Sequence, residues 1–282
     1  NNVGYLNNFL GNYQQARAEI HRAIRLFEQT GAYVTAAQAY DSLGETFLAL
    51  GDFAAARREF QLAYDRMRAN EQKYDEAFVL ANLARVDAAE GEYLQAETKF
   101  REAIRMLEET GIHKEVAVVY GNLGALYRRM GQLQKADEAI RRSISGLQDV
   151  TGPYHLAKVS LEKAALLIDR HQPEDAGALI DAASQAAEQS GTRPLLVQAG
   201  LVRARQQAAA GQADRAAETL RATLAAAATD LERGEVYFSL WELAGDRDGA
   251  QAAMQIYARL AENIRGGEVC RRLEALRAAL GD

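Results

Sequence analysis

Asn2, Ser42, Asn82 and Asn122 stand at a constant interval of 40 residues. A carboxamide carries two N–H donors and a carbonyl acceptor. It can therefore grip the backbone N–H and C=O of an extended peptide without reading that peptide's side chains. A period of 40 places these groups in a row, one per structural unit, on one face. Such a row holds a chain and breaks no bonds. The same side chains could instead bond the carbonyls of a neighbouring helix and set the twist of a stack, and one residue can do both. Past Asn122 the row continues as Glu162 and Val202.

Other chemistry is poorly represented. The sequence has no Gly-x-x-x-x-Gly-Lys phosphate cradle, no His-Glu-x-x-His and no Gly-x-Ser-x-Gly. Four histidines occur, at 21, 113, 155 and 171. His113 and His155 fall near equivalent inter-repeat loops, but without a nearby Cys or a placed carboxylate they make a poor metal site. No catalytic residue, cofactor or metal is expected. The net charge of −6 gives no basic footprint for nucleic acid. The pairs Arg57-Arg58, Arg128-Arg129, Arg141-Arg142 and Arg271-Arg272 are interleaved with acids and read as solvated faces. No apolar run approaches the roughly 18 residues that span a bilayer. A lone cysteine, Cys270, rules out an internal disulfide framework and fits a reducing, cytoplasmic setting.

The elements that must position the amide row repeat with it. Gly11, Gly51, Gly91, Gly131, His171 and Gly211 begin turns 40 residues apart, and each has Ala five positions later. A fixed period in this range marks a stacked architecture. Tyr40, Leu43, Phe47 and Leu50 share one helical face, and after Gly51 a second helix carries Ala56, Phe60 and Ala63. Tyr40, Leu43-Gly44, Phe47, Ala56, Phe60 and Ala63 resemble the tetratricopeptide repeat (TPR) pattern. Two further units repeat it: Leu83-Ala84, Ala96, Phe100 and Ala103, then Tyr120, Leu123-Gly124, Tyr127, Ala136, Ile140 and Ser143. The extra length over the family's usual period of about 34 residues goes into longer helices around second turns at Thr30-Gly31, Thr110-Gly111, Thr151-Gly152 and Ser190-Gly191. This long unit is similar to the TPRs of kinesin light chains, spindle-orientation adaptors and bacterial regulators.

The resemblance implies an all-α, right-handed superhelical solenoid of antiparallel helix pairs, with about six to seven repeats and a C-terminal capping helix. The units divide as a partial repeat over 1–31, well-formed repeats over 32–71, 72–111 and 112–151, and degenerate repeats over 152–191 and 192–230. A short repeat over 231–266 and a cap over 267–282 complete the chain, which is read as a fragment of a longer protein. The resemblance also implies that the first helix of each unit lines the concave surface, and that the amide row forms a ladder there for an extended peptide. Glu45, Arg85, Arg128, Lys158 and Arg205 should share that groove, along with Asp41, Ala125 and Ala165. The acidic amino end and basic middle point to a partner with a central acidic residue. The expected function is a non-catalytic module binding a peptide or protein segment. The alternative is the ligand-sensing arm of a larger signalling protein such as a transcription activator, cyclase or ATPase. Homo-oligomerisation would use the uncapped amino end.

Overall fold

The structure, a computed structural model, describes residues 1–111, 113–148, 153–262, 264 and 266–281. Seven antiparallel helix pairs follow one another, and a last helix covers the end. The pairs are α1 (Asn2–Leu10) with α2 (Tyr13–Gln29), α3 (Tyr33–Leu50) with α4 (Phe53–Ala69), and α5 (Lys73–Glu90) with α6 (Tyr93–Thr110). Next come α7 (His113–Arg129) with α8 (Leu133–Leu147), α9 (Pro153–Asp169) with α10 (Gly177–Ser190), and α11 (Arg193–Ala209) with α12 (Ala213–Thr223). The seventh pair is α13 (Asp230–Ala244) with α14 (Arg247–Ala261), and α15 (Gly267–Leu280) follows. A short 3-10 turn, Pro173–Ala176, precedes α10. Among the described residues there is no strand, and the pairs form a right-handed superhelical solenoid.

The repeat pattern is a packing rule. Ala56, Phe60 and Ala63 are completely buried, and a Cβ added to Gly44 would lie 2.6 Å from the Phe60 ring. Glycine on the first helix is what lets the large residue of the second seat against it, and any side chain there would overpack the pair by roughly 1–3 kcal/mol. Between the helices Gly51 adopts φ 82°, a left-handed geometry that carries no Cβ penalty only in glycine. His171 takes the same left-handed region in its unit, with φ 60°. Thr151-Gly152 lies outside the described residues.

Superhelical closure is not written in the repeat pattern. The turn at Gly11 meets Pro194 at the start of α11, and the turn at Gly51 meets Leu231 and Leu260. The turn at Gly91 meets Gly267, where a Cβ on Gly91 would lie 3.1 Å from the Gly267 Cα. Each of the first three units thus touches the element five units further on. Phe53, Phe60, Leu83 and Val86 share one buried cluster with Phe238, Tyr257, Leu273 and Leu276. Arg193 donates from Nε to the Leu10 carbonyl (3.1 Å), and Arg271 donates from Nη2 to the Tyr93 hydroxyl (2.6 Å).

Three of the double-arginine segments depart from the solvated faces expected of them. Arg57 pairs with the fully buried Asp87 (2.8 Å), which Lys99 also reaches (2.5 Å). Arg128 is largely buried between Glu162 and Asp169, and Arg272 lies 4.8 Å over the Phe238 ring while donating to the Tyr257 hydroxyl. Their alkyl stems cover apolar surface and their heads reach acids on other helices, Asp87 on α5, Glu162 and Asp169 on α9 and Glu235 on α13, a use of arginine that charge alternation along one helix does not display. No described helix is long and apolar enough to cross a membrane.

Candidate functional site

The first helices α1, α3, α5, α7, α9 and α11 surround a groove with a cavity of about 510 Å³. Curvature of the superhelix brings α1 opposite α9 and α11 across it. Phe9 of α1 packs against Tyr154 of α9, with ring centroids 4.7 Å apart, so residues 145 positions apart in sequence meet across the groove. An open ladder would lie along a concave surface, whereas here α1 comes round to meet α9 and α11.

Of the residues expected to form the site, Ser42, Glu45, Asn82, Arg85, Asn122 and Lys158 line the groove. Asn2 does not: it sits exposed on the first turn of α1, and Asn8 lines the cavity. Arg128 and Arg205 also fall outside the lining, because Asp169 draws both, Arg128 from Nη1 at 3.2 Å and Arg205 from Nη2 at 2.7 Å. The packing of α9 between their helices takes these two guanidiniums into an inter-repeat ion cluster. His155 departs from its expected loop placement. It is part of α9, edge-on to Tyr154 at 5.2 Å, and lines the groove.

The wall made by α3 and α5 is internally bonded. Asn82 is 3% exposed; its Nδ2 donates to Asp41 (2.9 Å) and its carbonyl accepts from Arg85 Nη1 (2.9 Å). Arg85 also pairs with Glu45 (2.9 Å). The Ser42 hydroxyl donates to the Gln38 carbonyl, and the Ser42 carbonyl accepts from Asn8 Nδ2. Burial, followed by the like charge of Glu45 one turn away, pushes the Asp41 carboxyl up to about 7.

The wall made by α7, α8 and α9 is bonded quite differently. Among the described residues Asn122 and Lys158 have no side-chain hydrogen bond or ion pair, although both line the cavity. The Ser143 hydroxyl, on a completely buried residue that also lines it, has no partner, and neither has the buried Oε2 of Glu115. Burial, and then Arg85, push the Lys158 ammonium down to about 8. Burial, with Lys158 and Lys114 beside it, holds His155 neutral at about 4. Tyr154 is raised by burial to about 12. No group of three or more described His, Cys, Asp or Glu side chains is placed to hold a metal ion.

Several lining residues carry no motif. Tyr74, Lys114, Tyr154 and Pro194, at the starts of successive first helices, are 40 residues apart, as are Phe78, Val118, Lys158 and Gln198 one turn later. The period that revealed the amide row would have revealed both rows had it been applied to each helix's opening turns. Ser143 also left a signal. It breaks the series Ala23, Ala63, Ala103 and Ala183, which is buried throughout.

Sequence and fold comparisons agree with the repeat architecture. A family model described as Tetratricopeptide repeat matches residues 1–69 and 75–149. No curated protein matches the chain in sequence. Among solved structures, a Rap conjugation gene regulator of the plasmid pLS20 in complex with the Phr* peptide superposes with a TM-score of 0.76 at 14% identity, over 99% of this chain and 74% of that one. A Rap protein complexed with Competence and Sporulation Factor gives 0.73 at 12% identity, covering 98% of this chain and 74% of that one. Cut9 with Hcn1, an APC/C hetero-tetramer, gives 0.64 at 15%, covering 96% and 47%. At these identities the likeness is one of fold. The matched segments span half of the sequence and end where the aromatic repeats give way to alanine-rich ones, and the seven stacked pairs carry the pattern in three dimensions: this chain belongs to the tetratricopeptide repeat family.

Proposed function

We propose that the chain is a non-catalytic interaction module that holds a peptide or protein segment in the groove between its first helices. The carrying observation is the groove cavity, walled by aromatic rings at Phe9, Tyr13 and Tyr154 and edged by polar groups left without partners among the described residues. Its volume falls in the range of sites that bury a ligand, roughly 300–1,000 Å³. Apolar anchors with a few placed polar groups give affinity and orientation together. Two similar folds come from complexes with the Phr* peptide and with Competence and Sporulation Factor, which supports a peptide as occupant.

The test blocks the groove without touching the outside. Ala125→Trp fills the cavity from α7, and Arg105→Glu alters an exposed position on α6. Immobilised protein is exposed to a synthetic random hexapeptide mixture and the retained peptides are identified by mass spectrometry. Retention lost in Ala125→Trp and kept in Arg105→Glu supports the reading, and equal retention by both variants rejects it.

The second reading, a ligand-sensing arm of a larger signalling protein, is favoured by closure itself. A ligand seated beside the Phe9–Tyr154 contact bears on α1 and α9 at once. An open reading frame with no effector domain adjoining this chain would dispose of it. Self-association through the amino end would use Val3 and Leu6 on the outer face of α1, 58% and 55% exposed. A mass independent of concentration in sedimentation would exclude it.

A further inference from the structure

A second cavity, of about 410 Å³, opens on the other side of α7, between the second helices α6 and α8. Val118, Asn122 and Ala125 of α7 line the inner groove, whereas Tyr120, Leu123 and Tyr127, on the opposite face of the same helix, line this outer one. Both rims have one pattern. From Arg101 to Glu108 on α6, and from Lys135 to Arg142 on α8, the lining residues fall at i, i+3, i+4 and i+7. The outer groove is therefore two helical turns long, about 10 Å at 1.5 Å per residue.

The spaces between earlier second helices are bridged. Arg66 of α4 pairs with Glu28 of α2 (2.8 Å), and Asp87 of α5 binds both Arg57 of α4 and Lys99 of α6. At the position of Asp87, 40 residues on, α7 has Tyr127. Its hydroxyl donates to Glu97 and accepts from Arg101, both on α6 at 2.8 Å. Among the described residues no side-chain hydrogen bond or ion pair joins α6 to α8, and the gap between them stays open over Tyr120, Leu123 and Tyr127.

The rims carry four cations, Arg101, Arg105, Lys135 and Arg142, against two carboxylates, on a chain whose net charge is −6. Arg101 and Arg142 are engaged by Glu97 (3.0 Å) and Glu138 (2.7 Å) of their own helices. Lys135 lies 5.3 Å over the Tyr127 ring and has no ion pair among the described residues. Arg105 has only the exposed Glu109, 3.8 Å away on the same helix, and a surface pair of that kind is worth little. The charge left over is positive.

We infer that this outer groove docks an acidic amphipathic helix of a partner protein. Two rims of like spacing receive the ridge of a third helix, whose apolar residues at i, i+3 or i+4 and i+7 seat over Tyr120, Leu123 and Tyr127. Carboxylates flanking that ridge meet Lys135 and Arg105, and the surplus positive charge of the rims turns away a basic helix. The docking surface shares no residue with the inner groove, so it does not depend on what that groove holds.

The experiment titrates the full chain into labelled synthetic peptides of about 15 residues, long enough to form helix, and follows fluorescence anisotropy. The first peptide has leucine at i, i+3, i+4 and i+7 of an alanine background, with glutamate on either flank of the leucines. A second replaces glutamate by lysine, and a third replaces leucine by alanine. The first should bind at least tenfold more tightly than either of the others. Lys135→Glu combined with Arg105→Glu should weaken it by roughly tenfold or more, as reversal of two exposed charges implies, and should gain affinity for the lysine peptide. Arg17→Glu combined with Arg58→Glu, an equal charge change at exposed positions on α2 and α4, should leave its binding unchanged. Equal binding of the glutamate and lysine peptides, or binding that survives the Lys135 and Arg105 reversals, overturns the inference. So does undiminished binding of the leucine-free peptide, which marks a plain counterion patch, and so does the absence of binding by all three. Circular dichroism of each variant confirms that the helices are intact.

Discussion

The two walls of the groove are built from the same repeat and used in opposite ways. On α3 and α5 the polar residues Asp41, Glu45, Asn82 and Arg85 bond one another and make a rigid surface. On α7, α8 and α9 the corresponding space holds Asn122, Ser143 and Lys158, which bond nothing among the described residues. Asn82 and Asn122 occupy the same position of successive units, yet one is a cross-brace and the other an open hand. What separates them is the neighbouring helix: α3 offers Asn82 an aspartate, whereas at the same place in the previous unit α5 offers Asn122 only Ala81. A groove can in this way keep one wall preorganised and leave the other for its ligand, and preorganisation lowers the ordering cost of binding.

The largest effect expected from breaking this comparison is on the bonded wall. Asn82→Ala removes a donor from the half-buried Asp41 and an acceptor from Arg85, and should lower stability in chemical denaturation by about 1–3 kcal/mol. Asn122→Ala should change it by no more than about 0.5 kcal/mol. Equal losses would show that both asparagines brace the stack.

Lys158→Met should act in the opposite direction. Burial and Arg85 depress the Lys158 pKa from its ordinary 10.5 to about 8; Glu162 and Glu45 oppose them, and Arg129 adds to them. A depressed lysine contributes its full stability above 10.5 and loses it as pH falls through about 8, so the cost is greatest at neutral pH. The variant should therefore be more stable than wild type by about 1–2 kcal/mol at pH 7, allowing for partial solvent screening. The gain should disappear as pH approaches 10.5 in thermal melts.

The smallest effect is at Ser143. Replacing its orphaned hydroxyl by the alanine found at positions 23, 63, 103 and 183 should leave stability unchanged or raise it by up to about 1 kcal/mol. A clear loss in denaturant midpoint would mean that the hydroxyl has a structural partner.

The sequence made the helix pairs legible, because the residues that build them act locally and repeat. Gly44 seats Phe60, Gly124 approaches Ile140, and Ala56, Ala96 and Ala136 are completely buried at the same place in each unit. Eight of the twelve residues expected in the groove do line it, since a period of 40 fixes which face of each first helix looks inward. Asn2, Ala165, Arg128 and Arg205 escaped that rule, the first by lying on the opening turn of α1, Ala165 by packing into the core, and the two arginines by turning to Asp169. Phe9 and His155 were missed because their placement depends on α1 meeting α9, a contact between distant units.

The amino-acid sequence by itself determined the repeat, its turns and the family, because these rest on interactions within one helix pair or between adjacent pairs. Only the tertiary structure decided that the superhelix closes, so that Gly91 meets Gly267 and Phe9 of α1 meets Tyr154 of α9 at the groove. Closure follows from a small rotation summed over several units, which no single motif encodes. The tertiary structure also decided which polar groups are already bonded and which are left for a partner, since a side chain's partner is supplied by the helix beside it.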